Sequence, residues 1–454
     1  MDTDAISARA APPLAATSVL GLKAQDTTKR DRVSLDHSFS NLKSRWVQRA
    51  NTMVYWQDAS VRQLAFENRN TAVDRVRDNQ YRAKIIGLGS QFESNFAVMN
   101  TAHRLVYGLD ASRSRYEGLR DGVVPPVGET FPTKAFPDTD YTLLGGFVQD
   151  EIAMANTRFL LTPGVRFDHY KLDPKATATF PGAPMASSGQ AISPRVGAVF
   201  RLLPDGNIAN LFAQYARGFR APTPDQVNKG FVNSVANYRS IANPNLTAET
   251  SDTVEAGVRG VGEAGRYSVS AFHGEYMNFI FQQQVSGNFT IANPATFQFV
   301  NLNAAKIRGA EARGEFRVTR ALTALAGIAY ARGDQNANGM KTPLDTIDPL
   351  RGIVGARYAE GAFSGGLNWT LMRAKESDRL SSTDFFKSPG FGLFDLTMAY
   401  TVNKNVAFSA GFFNIFDNKY YLWADVRGLN DTDRFKEAFT QPGRNFQASV
   451  RLQY

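Results

Sequence analysis

The chain has 454 residues, a net charge of +9, 12% aromatic residues, 37 glycines and no cysteine. The lack of cysteine excludes a disulfide framework, a thiolate metal site and a cysteine nucleophile. The longest apolar run, residues 321–331, is far short of the roughly 20 residues of a membrane helix. The basic residues are scattered rather than gathered into the stripe of a nucleic-acid binder.

Residues 1–22 have neither a basic n-region nor a clean apolar h-region, so no signal peptide is read there. Residues 1–28 are expected to be an irregular start. Residues 29–454 are expected to form one all-β unit, because no linker or charge block divides them. Strand-like alternation begins near Arg32 and gives about 16 or 17 strands. Tight turns are read at 155–157, 204–207, 262–265, 359–362 and 402–405, each from its Asn, Asp or Gly content. Long joins fall at 118–140, 174–191, 221–250, 285–297, 333–346, 375–390 and 427–443. Alternating tight turns and long loops are the pattern of a transmembrane antiparallel β-barrel, with the loops outside the cell.

In the segment 207–215, Ala209, Leu211, Ala213 and Tyr215 share one side, and Asn210 and Gln214 lie on the other. Pro222 and Pro224 then end the ladder, since neither can donate a backbone hydrogen bond. A second alternating segment follows at 253–259. A join of about 28 residues between two strands exceeds any ordinary hairpin, and this one is not low-complexity. It is read as functional. The segment 267–284 is read as one strand, long enough to cross a bilayer obliquely. The segments 310–318, 394–402 and 445–454 alternate cleanly. In the last, Phe446, Ala448, Val450, Leu452 and Tyr454 oppose Asn445, Gln447, Ser449, Arg451 and Gln453. A wall that is apolar toward lipid and polar toward a lumen explains both sides, and closure would leave no free edge. Glu311 and Glu315 alternate with arginines, which reads as structural ion pairs. His37, His103, His169 and His273 have no second ligand at metal spacing and are read as structural. No catalytic motif is found.

The string Gly218-Phe219-Arg220-Ala221-Pro222, followed by Asn243-Pro244-Asn245-Leu246 and Glu249-Thr250-Ser251, resembles the paired loop signature of TonB-dependent haem and haemoglobin receptors. Arg166-Phe167-Asp168-His169-Tyr170, Ile307-Arg308-Gly309 and Asn414-Ile415-Phe416-Asp417-Asn418 agree with TonB-dependent receptors more broadly. The resemblance implies a bacterial outer-membrane barrel of about 22 strands filled by an N-terminal plug. On that resemblance this sequence is expected to be a partial barrel, a fragment without the plug, the signal peptide or roughly the first five strands. It also implies that haem is a transported ligand and that a loop residue ligates its iron. No histidine lies between Phe219 and Leu246, a departure from the family, and the resemblance then implies Tyr238, the sole tyrosine there, as that ligand, the alternative being that it packs or stacks in the loop. Arg239 is the candidate partner of a haem propionate. Phe219, Arg220, Pro222, Asn243, Pro244, Asn245 and Leu246 complete the implied site. The implied partners are haem or a haem protein at the loops, lipid and lipopolysaccharide, and the TonB-ExbB-ExbD system where an intact plug exists. A ferric siderophore is the alternative cargo; an outer-membrane enzyme or a passive porin is the alternative class.

Overall fold

The computed structural model describes residues 15–453 apart from 45, 127–128, 155–157, 181, 204–207, 234–236, 303, 338–339 and 434–435. The turns read at 155–157 and 204–207 and the terminal Tyr454 lie outside these described residues. In chain order the first strands are β1 (Val19–Phe39), β2 (Arg49–Arg69), β3 (Arg75–Val98), β4 (Thr101–Val123), β5 (Thr139–Met154), β6 (Phe159–Pro174), β7 (Ser187–Arg201) and β8 (Asn210–Arg220). A short helix α1 (Pro224–Asn228), β9 (Phe231–Asn233) and β10 (Tyr238–Ile241) precede β11 (Glu249–Gly262) and β12 (Gly265–Met277). Then come β13 (Phe279–Ser286), β14 (Ala295–Leu302), β15 (Ala304–Arg317), β16 (Leu322–Ala337) and β17 (Met340–Pro343). The chain ends with β18 (Arg351–Glu360), β19 (Phe363–Met372), β20 (Phe391–Asn403), β21 (Val406–Phe413), a helical turn α2 (Trp423–Val426) and β22 (Asn445–Leu452).

Every long wall pairing is antiparallel and joins wall strands that follow one another once the short loop strands are set aside, from β1–β2 through β7–β8, β8–β11, β11–β12, β12–β15 and on to β21–β22. The sheet is an up-and-down meander. Successive joins lie at opposite rims. One rim carries the tight turns at 263–264, 361–362 and 404–405, the other the long joins. At the first of these turns Gly265 has φ +146°, and a Cβ there would meet the Glu315 carbonyl oxygen at 2.0 Å, so only glycine fits.

Three expectations change. Strand β1 begins at Val19, so residues 19–28, expected to be irregular, are strand. The strand read across 267–284 is broken at Asn278, whose φ of 57° turns the chain out of the ladder; β12 stays in the wall and β13 joins a separate sheet. Closure is not seen either: among the described residues β1 and β22 have no ladder to one another, and each leaves one edge unpaired.

The two faces of the meander differ as the alternation requires. On β21 and β22, Phe408 faces the exposed Val450 and Phe412 faces Phe446, the last two rings 4.8 Å apart. The band continues through Tyr400, Phe363, Trp369 and Val354, all exposed. Large side chains laid bare over so many adjacent strands would be unfavourable in water and are the natural contact of lipid. The opposite, concave face carries charge pairs: Arg166 holds Asp110 at 2.8 Å and Asp168 at 2.7 Å, and Arg266 holds Glu315 at 2.8 Å.

Candidate functional site

The join between β8 and β11 folds inward over the concave face. Arg220 ends β8 opposite Glu249, the first residue of β11, and its Nε donates to the Glu249 carboxylate at 2.6 Å. Pro222 is fully buried beyond it. Helix α1 starts at Thr223, whose backbone N–H donates to the Gln226 side chain at 3.0 Å in a capping box. Val227 of α1 and Leu246 pack with Tyr141, Tyr170, Leu172 and Ile280 into one buried cluster, and Phe219 packs against it. Tyr141 and Leu172 are directly paired on β5 and β6, while the alternate residues Leu144, Val148, Val165 and Phe167 are exposed on the other face. The cluster therefore sits inside the curve of the wall. At about 25 cal/mol per Å² of apolar area removed from water, it is what fixes an otherwise long join.

Above this cluster, β13, β14, β10 and β9 form a second sheet, in which β10 and β14 are parallel. Tyr238 lies opposite Asn233 and Ala295, and Ser240 opposite Phe231 and Phe297. Pairing and alternation put Tyr238, Ser240, Phe231, Phe297, Phe299 and Ile280 on one face. Ile280 belongs to the buried cluster, so this face looks toward the wall. The half-buried Tyr238 ring is 5.7 Å from Phe231 and 5.9 Å from Phe297, and Phe289 lies 6.0 Å beyond Phe297. Among the described residues the Tyr238 hydroxyl has no hydrogen-bond partner.

Arg239 is on the opposite face. Its Nε donates to the Thr296 hydroxyl at 3.1 Å, so the structure does not bring it to the Tyr238 ring. Asn243 is committed to the frame: its side chain donates to the Phe299 carbonyl at 2.8 Å and accepts from the Asn245 backbone at 3.1 Å. Pro244 and Asn245 are exposed. Of the nine residues named from the sequence, Tyr238 is the one set beside the Phe231 and Phe297 rings, while Phe219, Arg220, Pro222, Asn243 and Leu246 hold the join in place. Sequence reasoning missed Phe231, Phe297 and Arg120, whose guanidinium lies 4.8 Å from the centre of the Phe231 ring. Alternation within 238–241 was the available signal.

Other residues of the motifs are structural too. The Asn414 side chain clamps the Asn418 backbone at 2.9 Å from both its oxygen and its nitrogen, and Asp417 accepts from the Arg444 backbone at 2.7 Å. His103 joins Asp150 at 2.7 Å and stacks on Phe96, and His273 pairs with Glu275 at 3.5 Å. No metal-holding cluster of His, Asp or Glu occurs among the described residues. Glu315 bridges Arg266 and Arg357, as expected of an ion pair. Toward the turn rim the concave face encloses a cavity of about 1050 Å³ lined by Arg195, Arg259, Arg313, Glu255 and Gln214 among others.

A second loop cluster of Leu380, Phe386, Tyr421, Trp423 and Val426 covers another part of the long-join rim. Lys375 is drawn into it, its ammonium 4.5 Å from the Trp423 ring centre and bonded to the Ile347 carbonyl at 2.6 Å. Burial holds its proton affinity below that of an ordinary lysine.

The profile of the family described as TonB dependent receptor-like, beta-barrel, matches residues 6–415. The hemoglobin-haptoglobin utilization protein B of Neisseria meningitidis serogroup C is 27% identical over 350 residues, covering 66% of this chain and 42% of its own length. The hemin receptor of Yersinia enterocolitica is 24% identical over 440 residues, covering 90% of this chain and 58% of its own. The chain thus spans well under two thirds of the length of these relatives. The solved copper transporter OprC superposes with a TM-score of 0.73 at 22% identity, over 96% of this chain and 66% of that one. At that identity the likeness shows the fold alone.

Proposed function

The chain belongs to the TonB dependent receptor-like β-barrel family, outer-membrane receptors rather than enzymes, and from that premise we propose that it captures haem at its outer rim, with Tyr238 as the iron ligand. The observation that carries this is the Tyr238 face itself. A half-buried phenol stands between two phenylalanine rings. A phenolate is a hard, anionic ligand suited to ferric iron, and the flanking rings offer a flat apolar surface to a macrocycle. The names of the haemoglobin-utilising and hemin-receptor relatives support the same cargo. Onward passage is assigned to a plug domain and the TonB-ExbB-ExbD system acting on it. Haem delivered free or from a haem protein would enter at the same rim.

Haemin titrated into the purified chain in detergent is expected to give the absorbance bands of ferric tyrosinate. Tyr238→Phe should abolish those bands and weaken binding about tenfold or more, roughly 1.4 kcal/mol. Unaltered free-haemin absorbance in the native protein, or bands that persist in Tyr238→Phe, would contradict the assignment. In the first case a ferric siderophore becomes the better cargo.

A further inference from the structure

We propose that Arg69, Arg75, Arg77 and Arg120, at the outer mouth of β2–β4, form an anion site for the carboxylates of a planar aromatic ligand lying on Phe231 and Tyr238. The proposal rests on the porphyrin reading of the Tyr238 face and adds to it the group that would hold the other end of the ligand. Glu67 is directly opposite Arg75 on β2 and β3, and Arg77 has the same parity as Arg75. Arg120 is opposite Asn79, again of that parity. Tyr81 continues the row and packs on Tyr116 and Phe136, so the row faces inward.

The arginines outnumber their buried partners. Glu67 receives both Arg75, at 3.4 Å, and Arg77; Glu129 receives Arg120 at 3.0 Å. The Arg69 guanidinium is bonded to the Val73 carbonyl, with Nε at 2.7 Å, not to a carboxylate. Asp74 and Asp121, on the same stretch, accept instead from the backbone N–H groups of Arg69 and Gly122 at 2.9 Å and 2.8 Å. The Arg77 Nε–H is buried without a hydrogen-bond partner. Among the described residues, four guanidinium groups thus share two buried carboxylates. Such a surplus is costly in a half-desolvated site unless an anion completes it. The planar fork of arginine matches a carboxylate with two parallel hydrogen bonds.

Position then selects the ligand. Arg120 lies against one side of Phe231, and Tyr238 lies against the same ring. Cation, ring and phenol are thus neighbours in that order. A macrocycle with a metal at its centre and carboxylates at its edge presents the same order. Arg239, on the far face of β10, cannot serve here.

The test uses metal-free protoporphyrin IX and its dimethyl ester, titrated by fluorescence into the purified chain in detergent. The free acid should bind about tenfold or more tightly than the ester. The ratio should fall toward one in Arg120→Gln, and also in Arg77→Lys, which keeps a cation beside Glu67 but loses the fork. Equal binding of acid and ester by the native protein, no binding of either, or a ratio unchanged in both variants would overturn the proposal. A haemin tyrosinate spectrum alongside equal acid and ester binding removes the arginine site and leaves Tyr238 standing. An arginine-dependent ratio without that spectrum does the reverse.

Discussion

Ile328→Arg is expected to destabilise the wall by about 2–4 kcal/mol, the cost of a cation on the lipid face near the middle of the bilayer. Ile328 is 52% exposed and lies opposite Ala312 and Gly352, on the face away from the charge pairs. Its depth follows from the strand. Rising from Leu322 at about 3.4 Å per residue with a tilt near 40°, the chain has climbed roughly 15 Å at Ile328, about half the hydrocarbon thickness. In water the same substitution would be nearly free, because exposed surface positions seldom change stability by more than about 0.5 kcal/mol. The control is Gln214→Arg on the concave side, where Gln214 already bonds Glu255 at 2.7 Å; it should be close to neutral. Denaturant unfolding of both variants from phospholipid vesicles measures the difference. Equal stabilities would mean that the convex face does not meet lipid.

Trp423→Ala should cost about 3–5 kcal/mol, yet leave the sheet intact. Trp423 is 2% exposed and closes three joins at once. Its indole N–H donates to the Asp345 carbonyl at 2.6 Å, its ring carries the Lys375 ammonium, and it packs with Leu380, Phe386, Tyr421 and Val426. Asp345, Lys375, Leu380, Phe386, Tyr421 and Val426 come from three different joins, and none of these six lies in a wall strand. The loss should therefore appear as local opening. Limited proteolysis is expected to cut within these joins in Trp423→Ala and not in the native chain, with the strand signal in circular dichroism unchanged. Leu422→Ala, whose side chain is exposed, should cut like the native chain. Loss of the strand signal in Trp423→Ala would show that the cluster supports the wall itself.

Much of the wall was legible because its physics is local. A period of two, tight turns with Gly or Asn, and long joins between them are carried by neighbouring residues, and the register at Gly262–Gly265 or Glu360–Phe363 follows from the turn. The break at Asn278 was hidden because alternation continues on both sides of it; a single left-handed residue leaves no trace in the pattern. The β10–β14 pairing was hidden for another reason. It matches Tyr238 with Ala295 in parallel, across a wall hairpin, and no short-range signal encodes such a contact. Within the candidate site, most residues of the signature around Phe219 and Asn243 frame the join between β8 and β11. Arg239, the candidate propionate partner, lies on the face opposite Tyr238 because residues 238–241 form a strand, in which adjacent side chains point apart. The Arg77 and Arg120 group comes from three strands whose sequence positions share no motif.

The central claim is that this sheet crosses an outer membrane with its long joins outside, and the absence of cysteine makes it testable with single labels. Ile291→Cys, on the exposed tip between β13 and β14, and Asn405→Cys, in a tight turn of the other rim, are to be treated in intact bacteria with a bulky, impermeant maleimide. Labelling of Ile291→Cys in intact cells, and of Asn405→Cys only after permeabilisation, is the predicted result. The reverse pattern, or equal labelling of both in intact cells, would contradict the account.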